Sequence, residues 1–361
     1  MKHLNIVYIG LVSMLLCGAS ACKHDDITTR PVNLNYRPGA DFIKNNYDLT
    51  IFSALIDKSG MKDELNGAGP YTFIAPNDKA FTEIGLTKDK VATISEDSAK
   101  HIVQYHVITR RLMTDDIPAN GVDVRYATLY DDRQLYVSNG SYSPGQEIDP
   151  TKNRKEIYFN GSLAIKKDVT VLNGNLYVTD KVMKYTPGDM QAFLADKPEL
   201  SILVAGFKKF GYWDKLKGLK PFTILAPTNA VFEKAGMTEA FVNAMNTNEY
   251  YGTRLFGVYL MQGNRYFVND FSVFRTITGV NGITVLIDPS DTWSFSMYVQ
   301  TNTYTGLPTT MYITIRTALQ YPYEEVKNFS DGIPANYDFL TDNGILHKIE
   351  TVIVLPSQAK R

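Results

Sequence analysis

The residues able to do chemistry in this chain are few and scattered. Cysteine occurs twice, at Cys17 and Cys22, so the rest of the chain can build neither a disulfide framework nor a cysteine metal site. Histidine occurs at His3, His24, His101, His106 and His347. His101 and His106 stand five apart, which does not stack two ligands on one helix face as an i,i+4 pair does. His106 falls on an apolar stripe with Ile102 and Val103 and reads as a core histidine, as does His347 beside Leu346 in a strand. No nucleophile elbow, H-E-x-x-H pair, phosphate loop, dinucleotide fingerprint or EF-hand loop occurs. Carboxylates number 38, but their spacing singles out no pair for glycoside chemistry. The expectation is a protein that binds without catalysing, with no cofactor and no metal.

Composition agrees with a binding module built on sheets. The 361 residues carry a net charge of −1, with 44% hydrophobic and 21% charged residues. That length suggests about two globular domains, and that neutrality lacks the basic field a nucleic-acid partner requires. The chain holds 23 Tyr and 18 Phe, residue types that suit half-buried sheet surfaces.

The first residues read as a targeting segment. Lys2 precedes an apolar run from Ile6 to Leu16, too short to cross a bilayer as a helix. Gly18, Ala19, Ser20 and Ala21 then lead into Cys22. Small residues before a cysteine at this place resemble the lipobox of bacterial lipoproteins. The resemblance implies a signal peptide over 1–21, cleavage before Cys22, and acylation there, anchoring the chain in a membrane. Ala19 departs from the usual leucine. The charged cluster Lys23-His24-Asp25-Asp26 resembles the surface-export signal of some outer-membrane lipoproteins. Residues 22–40, with Pro31 and Pro38, are expected to form a lipidated tether.

The body of the chain repeats. Residues 49–87 align with 200–238 at an offset of 151, with 15 of 39 positions identical. A second match pairs 168–183 with 338–353 at an offset of 170, so the second unit carries about 19 extra residues between its motifs. The period implies domain duplication, with units at 41–185 and 188–356 joined at Thr186-Pro187-Gly188. Within each unit, Gly60 or Gly211 stops a helix and Asn77 or Thr228 caps the next one. Asn160-Gly161 suits a type I′ hairpin turn. Helices first and strands after give an α+β class.

These segments resemble a known family. Thr72-Phe73-Ile74-Ala75-Pro76-Asn77-Asp78-Lys79-Ala80-Phe81 and its copy from Thr223 to Phe232 look like the first signature of fasciclin-like domains. Asn173 to Met183 and Asn343 to Ile353 look like the second, and Tyr105-His106 matches the family's Tyr-His pair. The resemblance implies two tandem fasciclin-like domains, each a β-sandwich or wedge with a cluster of short helices. It also implies adhesion or protein interaction at the cell envelope. The family's Tyr-His and Asp-Ile receptor motifs make Tyr105, His106, Asp168 and Asp338 candidate partner-binding residues, although Val169 and Phe339 follow the two aspartates. In the second unit the best alignment replaces Tyr-His with Val258-Tyr259.

Residues 265–335 are long and aromatic-rich, with alternation at Phe295–Val299 and Met311–Ile315 that predicts extra strands. Exposed aromatics stack on sugar rings, so Trp293 and Tyr298 are candidate glycan contacts. They support an alternative reading: an accessory glycan-binding lipoprotein beside an outer-membrane uptake system.

Overall fold

The computed structural model describes residues 36–119, 121–131, 133–142, 154–218, 221–270, 273, 282–286, 293–301, 308–317, 324–326 and 336–361. The leader at 1–21, Cys22 and the tether up to residue 35 lie outside the described residues. Arg37–Arg361 forms one compact unit.

In the first half, the strands are β1 Tyr71–Pro76, β2 Val107–Ile108, β3 Gly121–Ala127, β4 Gln134–Tyr142, β5 Arg154–Phe159, β6 Ser162–Val171 and β7 Gly174–Thr179. They form one seven-stranded sheet in the order β2-β1-β7-β6-β5-β4-β3. Near one end of that sheet β1 and β7 run parallel, from Tyr71 opposite Gly174 to Pro76 opposite Thr179. The two sequence motifs of this half are therefore neighbouring strands. β7 is buried along its whole length, as a parallel strand covered on both faces should be. Glycine 174 is required by the close approach, because a Cβ there would lie 2.0 Å from the Tyr71 carbonyl oxygen.

Two register shifts in β6 bend the sheet over on itself. The bend brings Phe159 of β5 against Tyr177 of β7, ring centroids 5.0 Å apart. The result is a wedge with a core on each side. One core lies between the sheet and the helices α1 Gly39–Lys44, α2 Thr50–Lys58, α3 Asp78–Glu83 and α4 Glu96–Tyr105. α2 buries Ile51, Phe52, Leu55 and Ile56, the spacing of one helix face. Asn77 caps α3 by accepting from the Ala80 N–H at 2.8 Å, and Ser95 caps α4 from Ser98 at 3.1 Å; each cap is worth about 1 kcal/mol. The other core lies inside the fold of the wedge and includes Ile74, Tyr105, Val137, Phe159 and Tyr177.

In the second half, β8 Phe222–Pro227, β9 Leu260–Gln262, β14 Phe339–Leu340 and β15 Ile345–Ile349 form a sheet in the order β14-β15-β8-β9. β8 and β15 are again parallel, with Thr223 opposite Ile345, the same register as Thr72 opposite Asn175 once the two offsets are applied. The helices α5 Met190–Ala195 and α6 Ser201–Lys209 occupy the places of α1 and α2. The strands expected at 295–299 and 311–315 are part of β11 Trp293–Thr301 and β12 Pro308–Thr317. With β10 Gly282–Leu286 and β13 Glu324–Val326 they form a separate antiparallel sheet.

The two halves also share their polar ties. Asn173 Oδ1 accepts from the Gly39 N–H at 2.9 Å and its Nδ2 donates to the Leu65 carbonyl at 2.8 Å. Asn343 makes the same two bonds to Met190 and Leu216, at 2.9 and 2.8 Å. Each asparagine pins the start of its half to its second motif.

Candidate functional site

Tyr105 ends α4 and His106 is its C-cap. They are 3% and 1% exposed, so neither offers a surface to a partner in this conformation. His106 Nδ1 lies 2.8 Å from the Ile102 carbonyl oxygen, and its Nε2 accepts from the Met183 N–H at 3.2 Å. Those partners place the proton on Nδ1. Burial pushes the ring down to about 4, against the bond to Ile102, which keeps it neutral near pH 7. Tyr105 donates to the Gln134 carbonyl at 3.1 Å, accepts from Asn160 Nδ2 at 2.7 Å, and stacks on Tyr185 at 4.8 Å. His106 packs against Phe52 on the helix side of the sheet, whereas Tyr105 belongs to the core inside the wedge.

Asp168 and Asp338 play matching parts. Both have positive φ, 53° and 61°. Asp168 Oδ1 accepts from the Thr114 N–H and Asp338 Oδ1 from the Val268 N–H, each at 2.9 Å. Burial raises the Asp168 carboxyl, but hydrogen bonds from Thr114, Tyr177 and Asn175 outweigh it and hold the group below its ordinary value. Asp338 is 7% exposed and its N–H donates to His347 Nδ1 at 3.1 Å. His347 Nε2 lies 2.8 Å from the Tyr266 carbonyl oxygen. Both aspartates stabilise local backbone.

Asp338 does face a different kind of surface: the seam between the halves. The Asn160-Gly161 turn, with φ of 46° and 73°, stands between Tyr105 and Asp338. A Cβ on Gly161 would lie 2.9 Å from Asp338 Oδ2 and 3.0 Å from the Phe267 Cβ, so glycine serves both the turn and the contact. The segment Arg265–Asp270 supplies most of the rest. Phe267 joins the core of the first half. Asn269 Nδ2 donates to the Gly161 carbonyl at 2.6 Å, and Ser138 Oγ donates to Asp270 Oδ1 at 2.6 Å. Arg265 lies over the Tyr136 ring at 4.0 Å and reaches Asp123 at 3.5 Å. Burial pushes Asp270 up to about 7, against bonds from Ser138 and the Phe267 N–H.

At the open end of the seam, Arg133 pairs with Asp342 at 2.8 Å and the Tyr185 hydroxyl donates to the same carboxylate. A cleft of about 390 Å³ opens there, lined by residues including Asp131, Arg133, Tyr136, Tyr185 and Asp342. Sequence reasoning missed all of these residues and Arg265 and Asp270. The available signal was faint: Tyr185 directly precedes the joint, and Arg265 and Asp270 repeat Arg111 and Asp116 at an offset of 154.

Trp293 and Tyr298 lie in β11, but their side chains are outside the described residues. Cys22 is outside them altogether. Among the described residues no group of three or more His, Cys, Asp or Glu could hold a metal ion, and no helix is long and apolar enough to cross a membrane.

The parallel pairing of the two motifs, with an asparagine pin behind it, is the arrangement against which relatives can be compared. Residues 47–185 match the Fasciclin domain family. The fold of this Fasciclin segment is α+β, a seven-stranded sheet with several short helices. Human Periostin is 26% identical over 182 residues, which is 49% of this chain and 20% of that protein. Pig transforming growth factor-beta-induced protein ig-h3 is 25% identical over 181 residues, 50% of this chain and 24% of that protein. The aligned stretch thus spans a quarter or less of the length of these relatives. A FAS1 domain pair from the insect cell adhesion molecule Fasciclin I is similar with a TM-score of 0.35 and 18% identity, covering 85% of this chain and 97% of that one.

Proposed function

We propose that the chain is a non-enzymatic, lipid-anchored adhesion or protein-interaction module of the cell envelope, carrying tandem fasciclin-like domains at 41–185 and 188–356. The observation that carries this reading is the recurrence, in the second half, of the parallel motif pair and its asparagine pin found in the Fasciclin segment. The match of residues 47–185 to the Fasciclin domain family supports the role, since adhesion or protein interaction is what that resemblance implies. Cys22 is the proposed acylation site, Lys23-His24-Asp25-Asp26 the signal for outward display, and the outer membrane the proposed location. Affinity capture from intact cell surfaces tests the role: a saturable protein partner at micromolar affinity is expected, and its absence overturns the reading. Metabolic labelling with a fatty acid tests the anchor, which Cys22→Ser should abolish.

A second reading, an accessory glycan-binding protein, is favoured by the cleft at the seam. Its mixture of guanidinium, carboxylates and phenols suits a neutral polyhydroxylated ligand. A glycan array separates the sites. Binding lost in Arg133→Ala places the glycan in the cleft; binding lost in Trp293→Ala or Tyr298→Ala places it on β11. No binding removes this reading.

A further inference from the structure

Two buried oxygens in the first half meet no hydrogen-bond partner among the described residues: Oδ1 of Asn175 and Oγ1 of Thr114. Asn175 lies on β7 and is fully buried. Its Nδ2 donates to the Leu112 carbonyl at 2.8 Å and to Asp168 Oδ1 at 3.3 Å. Both partners are acceptors, which assigns the nitrogen to that side and leaves the oxygen on the other. The two unmet oxygens belong to one cluster. Asp168 Oδ1, which receives the Asn175 amide, also receives the Thr114 N–H at 2.9 Å and the Tyr177 hydroxyl at 3.0 Å. The Thr114 hydroxyl lies near enough to act on both the Asp168 carboxyl and the Tyr177 phenol. Buried polar groups are nearly always satisfied, so an open pair around one carboxylate points to a ligand.

The second half has the same scaffold without these oxygens. Arg265–Asp270 is the counterpart of Arg111–Asp116, shown by four matched ties. Leu112 N–H donates to Thr72 Oγ1 at 2.8 Å, and Tyr266 N–H to Thr223 Oγ1 at 3.1 Å. Those two threonines donate to the Arg110 and Asn264 carbonyls at 2.6 and 3.0 Å. Thr114 and Val268 N–H bond Asp168 and Asp338. Met113 and Phe267 N–H bond Asp116 and Asp270, both at 2.8 Å. Thr114 is thus matched by Val268 and Asn175 by Ile345, and both of these are buried. The fold itself accepts hydrocarbon at these two places.

We infer that Thr114 Oγ1, Asn175 Oδ1 and the Asp168 carboxylate form a calcium site peculiar to the first half. The cluster is rich in acceptors and poor in donors. Tyr177 has one proton for two acceptors, Asp168 and the Leu112 carbonyl. Asp116 adds a second carboxylate, whose charge reaches the same phenol from the exposed rim. No lysine or arginine among the described residues forms an ion pair with Asp168 or Asp116. A water would satisfy the amide and leave both carboxylates uncompensated, whereas a cation answers amide, hydroxyl and charge together. Every candidate ligand is an oxygen, a set that suits hard cations and not zinc or copper. Calcium accepts an irregular shell completed by water, which the half-buried Thr114 and Asp168 admit, whereas magnesium demands a near-ideal octahedron. With so few charged ligands, the dissociation constant should be about 0.1 to 1 mM, the range of extracellular modules. The site does not depend on the adhesion reading or its partner.

The test is the thermal melt of the full-length chain in detergent, titrated with calcium chloride up to about 10 mM, a span that brackets the expected affinity. The melting temperature should rise and saturate, and sodium chloride of equal ionic strength should not reproduce the rise. The variants take their residues from the second half. Asn175→Ile should abolish the response. Thr114→Val keeps the backbone bond to Asp168 and should move half-saturation up about tenfold, so it decides the matter even where Asn175→Ile does not fold. A crystal structure grown with calcium chloride should show the ion against Asn175 Oδ1. An unmoved melt, an equal rise with sodium chloride, or a calcium response unchanged in Thr114→Val overturns the inference. So does a crystal structure in which only water meets Asn175 Oδ1 and Thr114 Oγ1.

Discussion

The two halves of this protein fill the same buried polar places while exchanging the residues that fill them. In the first half a histidine, His106, receives the N–H of Met183. In the second half the hydroxyl of a tyrosine, Tyr259, receives the N–H of Ile353 at 3.1 Å, and Ile353 is the counterpart of Met183. The reverse exchange occurs nearby. Tyr177 joins the Asp168 carboxylate to the Leu112 carbonyl, donating at 3.0 and 3.2 Å, and at the same place His347 accepts from the Asp338 N–H and reaches the Tyr266 carbonyl. The fold demands a buried polar group at each place, because the backbone groups there have no ladder partner. It does not demand a particular side chain. His106 is thus one solution to a structural need that Tyr259 also meets, whereas Val258, in the place of Tyr105, makes neither of that residue's side-chain hydrogen bonds.

The halves part company where they meet. Asp116 and Asp270 accept the same backbone bond at the same distance, yet one is exposed and the other 1% exposed. Docking alone turns an ordinary surface carboxylate into a buried group whose charged form is disfavoured.

The sharpest way to break the comparison is at the asparagine pins. Asn173→Ala leaves the Gly39 N–H and the Leu65 and Gly67 carbonyls without their partner, and should cost about 4 kcal/mol in urea denaturation. Asn343→Ala, with two such bonds to lose, should cost about 3 kcal/mol. A negligible loss at either position would show that the pins are not equivalent.

Asp270 tests the seam. Its folded-state carboxyl is raised from 3.8 to about 7, above its unfolded value. Its stabilising share is therefore complete below about pH 4 and lost as the pH rises through about 7. Asp270→Asn should gain about 3 kcal/mol at pH 8, gain little at pH 4, and flatten the pH dependence of stability. Asp116→Asn, at the exposed counterpart, should change stability by less than about 0.5 kcal/mol.

Smaller effects follow at the exchanged pair and the rim. Tyr177→Phe removes one hydroxyl and should cost about 1.5 kcal/mol; carbon NMR titration should show the Asp168 carboxyl moving up, since Tyr177 is among the donors that hold it down. Arg133→Ala removes a partly exposed ion pair with Asp342 and should cost no more than about 0.5 kcal/mol.

Much of each half was legible in the residues. Thr72–Phe81 and Asn173–Met183 announce a strand, a cap and a tight turn, and local chemistry decides these: Asn77 caps, and Asn160-Gly161 turns. The extra strands at 295–299 and 311–315 were legible from alternation. The roles of Tyr105 and His106 were half legible. The apolar stripe placed His106 inward, but nothing local told that Tyr105 would stack on Tyr185 across the wedge. Arg111–Asp116 and Arg265–Asp270 escaped notice because only their first and last residues agree, at an offset between those of the two stronger motifs.

By itself, then, the sequence determined what short-range physics controls: where helices start and stop, which strands alternate, and that the chain repeats. The tertiary structure decided which of two equivalent segments became an interface, and with it which aspartate was buried and which arginine stacked on Tyr136. That choice depends on surfaces more than 100 residues apart, as in the bond from Ser138 to Asp270 with its separation of 132. Such contacts are made between residues remote in the chain, and no local pattern in either segment encodes which partner it meets.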